Sequence, residues 1–142
     1  MVNRKGPQKP SLHVTAALIR DKGKLLISKR AKGSHLEDYW EFPGGKLENG
    51  ETLEQCLERE VEEELGFRIR AEKALLSVSH EYKDRVVILH FFSCEYISGE
   101  PRPIQCQEIK WVAPGELSAY RFPPADKKMI ALLIEKKLPE AD

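Results

Sequence analysis

Apolar residues come first in short runs broken by polar turns, then as a helical stripe, then in short runs again. Residues 12–19 and 24–28 are rich in β-branched and aliphatic side chains, and Asp21-Lys22-Gly23 between them supplies the positive-φ candidate that a tight turn needs. The pattern predicts a hairpin. Residues 32–50 lack periodicity and hold Gly33, Pro43, Gly44, Gly45 and Gly50, so they read as a long loop, and such loops in compact domains tend to be functional. Residues 52–65 read as a helix, with Thr52 as N-cap, Gln55 completing a capping box and Gly66 as the stop. Residues 74–82 and 86–97 read as strands around Lys83-Asp84, and residues 109–112 as a short third run before Pro114. A last helix is expected over 127–137, with Lys136 and Lys137 at its negative end. Strands on both sides of one central helix, plus a terminal helix, predict an α/β fold: an α/β/α sandwich around a mixed sheet.

The central helix breaks its own pattern. Leu53, Cys56 and Leu57 define an apolar stripe that Val61 and Leu65 continue, yet Glu60 and Glu64 fall inside the same arc and Glu63 sits at its edge. A solvated acidic face is the ordinary explanation of such a string. Like charges one turn apart repel, however, and their burial costs several kcal/mol unless a cation compensates. Carboxylate oxygens on a rigid helix suit a hard divalent ion, Mg²⁺ or Mn²⁺, and nothing in the chain matches a calcium-binding EF-hand loop.

Read with the loop before it, the segment GKLENGETLEQCLEREVEEELGF carries Gly45, Glu51, Arg59, Glu60, Val61, Glu63, Glu64, Gly66 and Phe67. This resembles the Nudix box without a departure, and seven specified residues would match by chance about once in 10⁸ positions. Ser28-Lys29-Arg30, Glu41-Phe42-Pro43-Gly44-Gly45-Lys46 and Phe122-Pro123-Pro124-Ala125-Asp126 extend the resemblance toward the MutT-type branch, which sanitises the nucleotide pool.

The resemblance implies a Mg²⁺-dependent hydrolase, with Mn²⁺ as a second fit, that splits a nucleoside triphosphate into monophosphate and pyrophosphate. It implies metal held by Glu60, Glu63, Glu64 and the Gly44 carbonyl, with Glu60 and Glu64 catalytic. Arg59 would pair with Glu63 or Glu51 and hold loop to helix. Arg30, His35, Glu41, Phe42, Pro43, Gly44 and Lys46 fall at substrate-binding positions, although His35 and Lys46 read equally as incidental loop residues. Relatives place a downstream glutamate where this chain has Gln105, which leaves Glu108 as the nearest carboxylate for a general base, or else as an exposed charge. Asp126 matches the base-reading position. An ionised aspartate there only accepts hydrogen bonds, suiting 8-oxo-dGTP, or alternatively CTP or a modified cytidine triphosphate; its plain alternative is the N-cap of the last helix.

Composition narrows the rest. A chain of 142 residues with 41% hydrophobic and 32% charged residues is expected to fold as one domain over 11–142, after a loose arm over 1–10. Lys+Arg and Asp+Glu balance at 23 each, so no basic field draws long nucleic acid or membrane. Three cysteines without C-x-x-C spacing, and no signal or membrane-spanning run, point to a cytoplasmic monomer or homodimer with reduced thiols. A non-catalytic Nudix nucleotide-binding module would usually lose box carboxylates. A glycosidase would need two of them facing each other across a cleft.

Overall fold

The computed structural model describes residues 9–137, so the expected arm falls outside the described residues except at Lys9 and Pro10. Within them run β1 Ser11–Asp21, β2 Lys24–Lys29, β3 Trp40–Glu41, α1 Leu53–Leu65, β4 Arg68–Glu81, β5 Val86–Ser98, β6 Glu108–Val112 and α2 Lys127–Glu135. Single 3₁₀ segments at Pro114–Ala119 and Pro124–Asp126 lead into α2.

The expected hairpin forms, and is short. Lys22 and Gly23 take φ of 52° and 79°, as a primed turn requires, but only Arg20–Leu25 and Asp21–Lys24 pair across it. Beyond that point β1 leaves β2 and runs parallel to β5, Ser11 through Ile19 against Val86 through Cys94. β4 lies antiparallel on the other edge of β5, while β6 and β3 flank β2, giving a mixed sheet in the order β3-β2-β1-β5-β4 with β6 on β2.

Divergence of β1 from β2 exposes one edge of β1, and the glycine loop fills it. Ala17 N–H donates to the Pro43 carbonyl at 2.8 Å, Thr15 N–H to the Gly45 carbonyl at 2.8 Å, and Leu47 N–H to the His13 carbonyl at 2.9 Å. A loop that looked unstructured in sequence is therefore pinned like a strand.

Both faces of the sheet are covered. Leu57, Val61 and Leu65 of α1 pack on Ala17, Ile19, Leu26, Phe67 and Phe92, whereas Met129 and Leu133 of α2, with Leu117, pack on Leu18, Leu25, Ile27 and Phe91. Successive residues of β1 feed opposite cores, which is why its sequence is a continuous apolar run. The Thr52 hydroxyl accepts from Gln55 N–H, and Gln55 Oε1 from Thr52 N–H, both at 3.0 Å. This capping box starts α1 as its sequence predicts.

Three boundaries differ from the sequence reading. β4 begins at Arg68 rather than at residue 74, because its first residues alternate buried Ile69 with exposed arginines and carry irregular register against β5. Trp40–Glu41 is a strand within the expected loop, and α2 ends at Glu135, where Lys136 takes a left-handed φ of 59°.

Candidate active site

The loop and α1 meet where neither residue 44 nor 45 has room for a side chain. A Cβ on Gly44 would overlap the Thr15 carbonyl, lying 2.7 Å from its carbon, and one on Gly45 would sit 2.6 Å from Glu60 Oε2. Close approach of backbone to β1 and to the helix carboxylates is what these glycines provide.

Arg59 ties the two elements together. Its Nε and Nη2 donate to both Glu51 oxygens at 2.5 and 3.0 Å, Nη2 also reaches the Lys46 carbonyl at 3.2 Å, and Nη1 reaches Glu60 and Glu63, each at 3.2 Å. With its planar fork filled, Arg59 acts as a positioning residue. The hydrogen bond from Arg59 holds the Glu51 carboxyl below its usual range.

Behind this tie, Glu60 and Glu64 crowd toward Glu41. Burial, then the neighbouring Glu41 and Glu60 charges, push the Glu64 carboxyl up to about 8, against the opposing pull of the Gly44 N–H and Arg30. Burial likewise raises Glu60 and Glu41, the latter despite its 2.7 Å ion pair with Arg30 Nη1. Glu64 Oε1 is buried with no hydrogen-bond partner. An orphaned carboxylate oxygen among like charges fits a divalent cation, which would supply the compensating positive charge. The expected convergence of all three box glutamates is looser than the helix wheel suggests. Glu63 is half-exposed and turned onto Arg59, and no three potential ligands among the described residues form a closed set.

A cavity of about 620 Å³ is lined by Glu60, Arg30, Glu41, Phe42, Gly44, Lys46 and Asp126. That is ample for a nucleotide. Asp126 is 4% exposed, and burial, with Glu41 adding, pushes its carboxyl up to about 8. Asp126 occupies the N-cap position of α2, as the sequence alternative had it, but its side chain makes no capping hydrogen bond there. The ionised, acceptor-only aspartate expected from sequence meets surroundings that oppose it: burial, with Glu41 adding, favours the protonated carboxyl, which has one donor and one acceptor oxygen.

His35 is an exposed loop residue at the cavity wall whose carbonyl accepts from Arg30 Nε at 2.6 Å. Pro43 is buried and serves through its carbonyl on β1 rather than by lining the cavity. Glu108 is not brought to the cavity. It opens β6 with a side chain 48% exposed, 4.0 Å from Lys110. Gln105 is exposed too, although its N–H and that of Ile104 both donate to the Glu64 carbonyl at 3.1 Å.

Two residues absent from the sequence reading belong here. Arg85 lines the cavity with a buried, unpartnered Nε, its guanidinium 5.8 Å from the Tyr82 ring. Gln107 donates to the Arg30 carbonyl at 2.7 Å and to Asp38 at 2.6 Å, fixing the loop that presents Arg30. A lone arginine in a hairpin turn carries no sequence signal. Only the parallel pairing of β1 with β5 brings that turn to the cavity.

The Asp126 environment has a consequence for stability. Because its folded value of about 8 lies above the ordinary 3.8, the folded state keeps a proton that the unfolded chain has released, and stability falls as pH rises through that window. In EDTA, urea unfolding should show wild type losing about 1–3 kcal/mol relative to Asp126→Asn between about pH 5 and 8. Parallel curves would place the carboxyl in an ordinary aqueous setting.

The NUDIX domain model matches residues 14–132 of the chain. Over 123 residues the chain is 36% identical to the 8-oxo-dGTP diphosphatase of Escherichia coli (strain K12), covering 86% of this chain and 95% of that one. Over 115 residues it is 34% identical to the CTP pyrophosphohydrolase of the same strain, covering 81% and 85%. The crystal structure of the MutT protein from Methanosarcina mazei Go1 matches with a TM-score of 0.82 at 26% identity, covering 92% of this chain and 98% of that one. The domain match spans the glycine loop, the carboxylate helix and Asp126 together, and the chain therefore belongs to the Nudix family.

Proposed function

We propose that this chain hydrolyses nucleoside triphosphates to nucleoside monophosphate and pyrophosphate, with 8-oxo-dGTP as preferred substrate. The carrying observation is one cavity lined by both Glu60 of α1 and a buried Asp126, with Glu64 behind Glu60. Glu60, Glu64 and the Gly44 carbonyl, joined by Glu63 once it leaves Arg59, would hold Mg²⁺ or Mn²⁺. Such an ion supplies charge screening of the phosphates and a water of lowered pKa. Arg30 offers a planar fork to phosphate oxygens, and its pairing with Glu41 keeps that fork in place. Since Gln105 and Glu108 both stand outside the cavity, we assign the general base to the box glutamates. Three free cysteines, and no helix among the described residues able to span a membrane, support a cytoplasmic setting.

Base choice follows from the protonated Asp126. Its O–H and carbonyl side by side match the O6 acceptor and N7–H donor of 8-oxoguanine, whereas the same edge of guanine offers two acceptors. A mismatch leaves a buried polar group unpaired, at about 1–3 kcal/mol. Cytosine, with its N4 amine beside N3, also satisfies the pair, so the relative named CTP pyrophosphohydrolase keeps cytidine triphosphates as the second reading. The test is kcat/KM for 8-oxo-dGTP, dGTP, CTP and dCTP at several pH values. The 8-oxo-dGTP to dGTP ratio should exceed about tenfold at neutral pH, while kcat/KM for 8-oxo-dGTP should decline above about pH 8 in wild type, as Asp126 ionises and loses its donor to O6, and stay level in Asp126→Asn. Preference for CTP by tenfold would install the second reading. An unchanged ratio in Asp126→Ala would remove Asp126 from base reading altogether.

A further inference from the structure

His13, Ser77 and His90 meet on the face of the sheet that carries α1, just past the edge of the helix. Ser77 pairs with His90 across β4 and β5, and His13 is two residues before Thr15, which touches Cys56 of α1 at 3.5 Å. None of the three lines the nucleotide cavity. His13 Nδ1 and His90 Nε2 are 3.0 Å apart, in rings inclined by only 14° with centroids 5.2 Å apart. Ser77 Oγ lies 2.8 Å from His90 Nδ1.

We propose that His13 Nδ1 and His90 Nε2 form a two-imidazole site for a borderline divalent transition ion, Zn²⁺, Cu²⁺ or Ni²⁺, separate from the carboxylate site on α1. The spacing is right for neighbouring ligands: at metal–nitrogen distances of ~2.0–2.1 Å, a 3.0 Å separation corresponds to an angle of about 94° at the ion. Opening it by ~0.3 Å reaches the tetrahedral value, a small turn for two half-exposed rings. The site requires the His90 tautomer with its proton on Nδ1, which Ser77 Oγ at 2.8 Å is placed to accept, leaving the Nε2 lone pair facing His13, as outer partners of metal-bound histidines do. The ion takes the place of the single proton between the rings, which leaves Nδ1 of His13 for its Nε2 or for solvent. Imidazole nitrogens select Zn²⁺, Cu²⁺ and Ni²⁺ over Mg²⁺, which takes oxygen ligands, so the two sites draw different ions. Because the His13 carbonyl accepts Leu47 N–H at 2.9 Å, an ion bridging β1 and β5 would also stiffen the strand segment that holds the glycine loop.

The test is Zn²⁺ titration of the Mg²⁺-free full chain, followed by calorimetry and by histidine-ring NMR. One equivalent should shift both His13 and His90 ring signals and raise Tm by roughly 5 °C at tenfold excess over Kd. Both effects should vanish in His13→Gln and in His90→Gln, weaken about 10–100-fold in Ser77→Ala, and survive in Glu64→Gln. His13→Gln should keep wild-type Mg²⁺-dependent turnover, which shows that it folds. Zn²⁺ binding that persists in both histidine variants, disappears in Glu64→Gln, or is absent from wild type at millimolar Zn²⁺ would overturn the proposal.

Discussion

Glu64→Gln is expected to lower kcat by about 10³ or more while the protein remains folded. The substitution keeps shape and removes charge from the most buried carboxylate of the box, whose Oε1 has no protein partner. In the absence of metal the variant should be as stable as wild type or more so, because a strained buried acid is replaced by a neutral amide. Steady-state kinetics with Mg²⁺ titration, alongside thermal unfolding in EDTA, separates the two effects. Turnover near that of wild type would remove Glu64 from the metal site and the α1 carboxylates from the chemistry.

The second large effect distinguishes two adjacent glycines. Gly44→Ala places a methyl group into the Thr15 carbonyl, so strand or loop must move, at a cost of about 3 kcal/mol or more. The move also displaces the Gly44 N–H from Glu64, and a shift of about 1 Å at a reacting centre costs on the order of 10² in rate. The nearest atoms to a Cβ at Gly45 belong to the Glu60 carboxylate, the movable end of a side chain. Gly45→Ala should leave the unfolding midpoint near wild type and reduce activity alone. Equal stability of the two variants would show that β1 does not clamp the loop.

Helix α1 was legible to the residue, since its Thr52 cap, Gln55 partner and Gly66 stop are local chemistry. The two-sided packing was legible from the order of strands and helices along the chain. What the sequence could not carry is long-range. The wheel placed Glu60, Glu63 and Glu64 together, but it could not show that Arg59 turns Glu63 outward, nor that Glu41 from a separate strand joins Glu60 and Glu64. Arg85 reaches the cavity through strand register alone. The burial of Asp126, which raises its carboxyl, carried no signal in the sequence, because burial is a property of the folded chain. Glu108 was the nearest carboxylate in sequence to Gln105, and its position opening β6 leaves it in solvent.

The most direct test of the account is product analysis of 8-oxo-dGTP and CTP hydrolysis by ³¹P NMR in ¹⁸O-water, with and without EDTA. Nucleoside monophosphate and pyrophosphate should appear in equal amounts, ¹⁸O should enter the pyrophosphate as attack at the β-phosphorus requires, and EDTA should abolish both products. Release of orthophosphate, or turnover undiminished by EDTA, would contradict it.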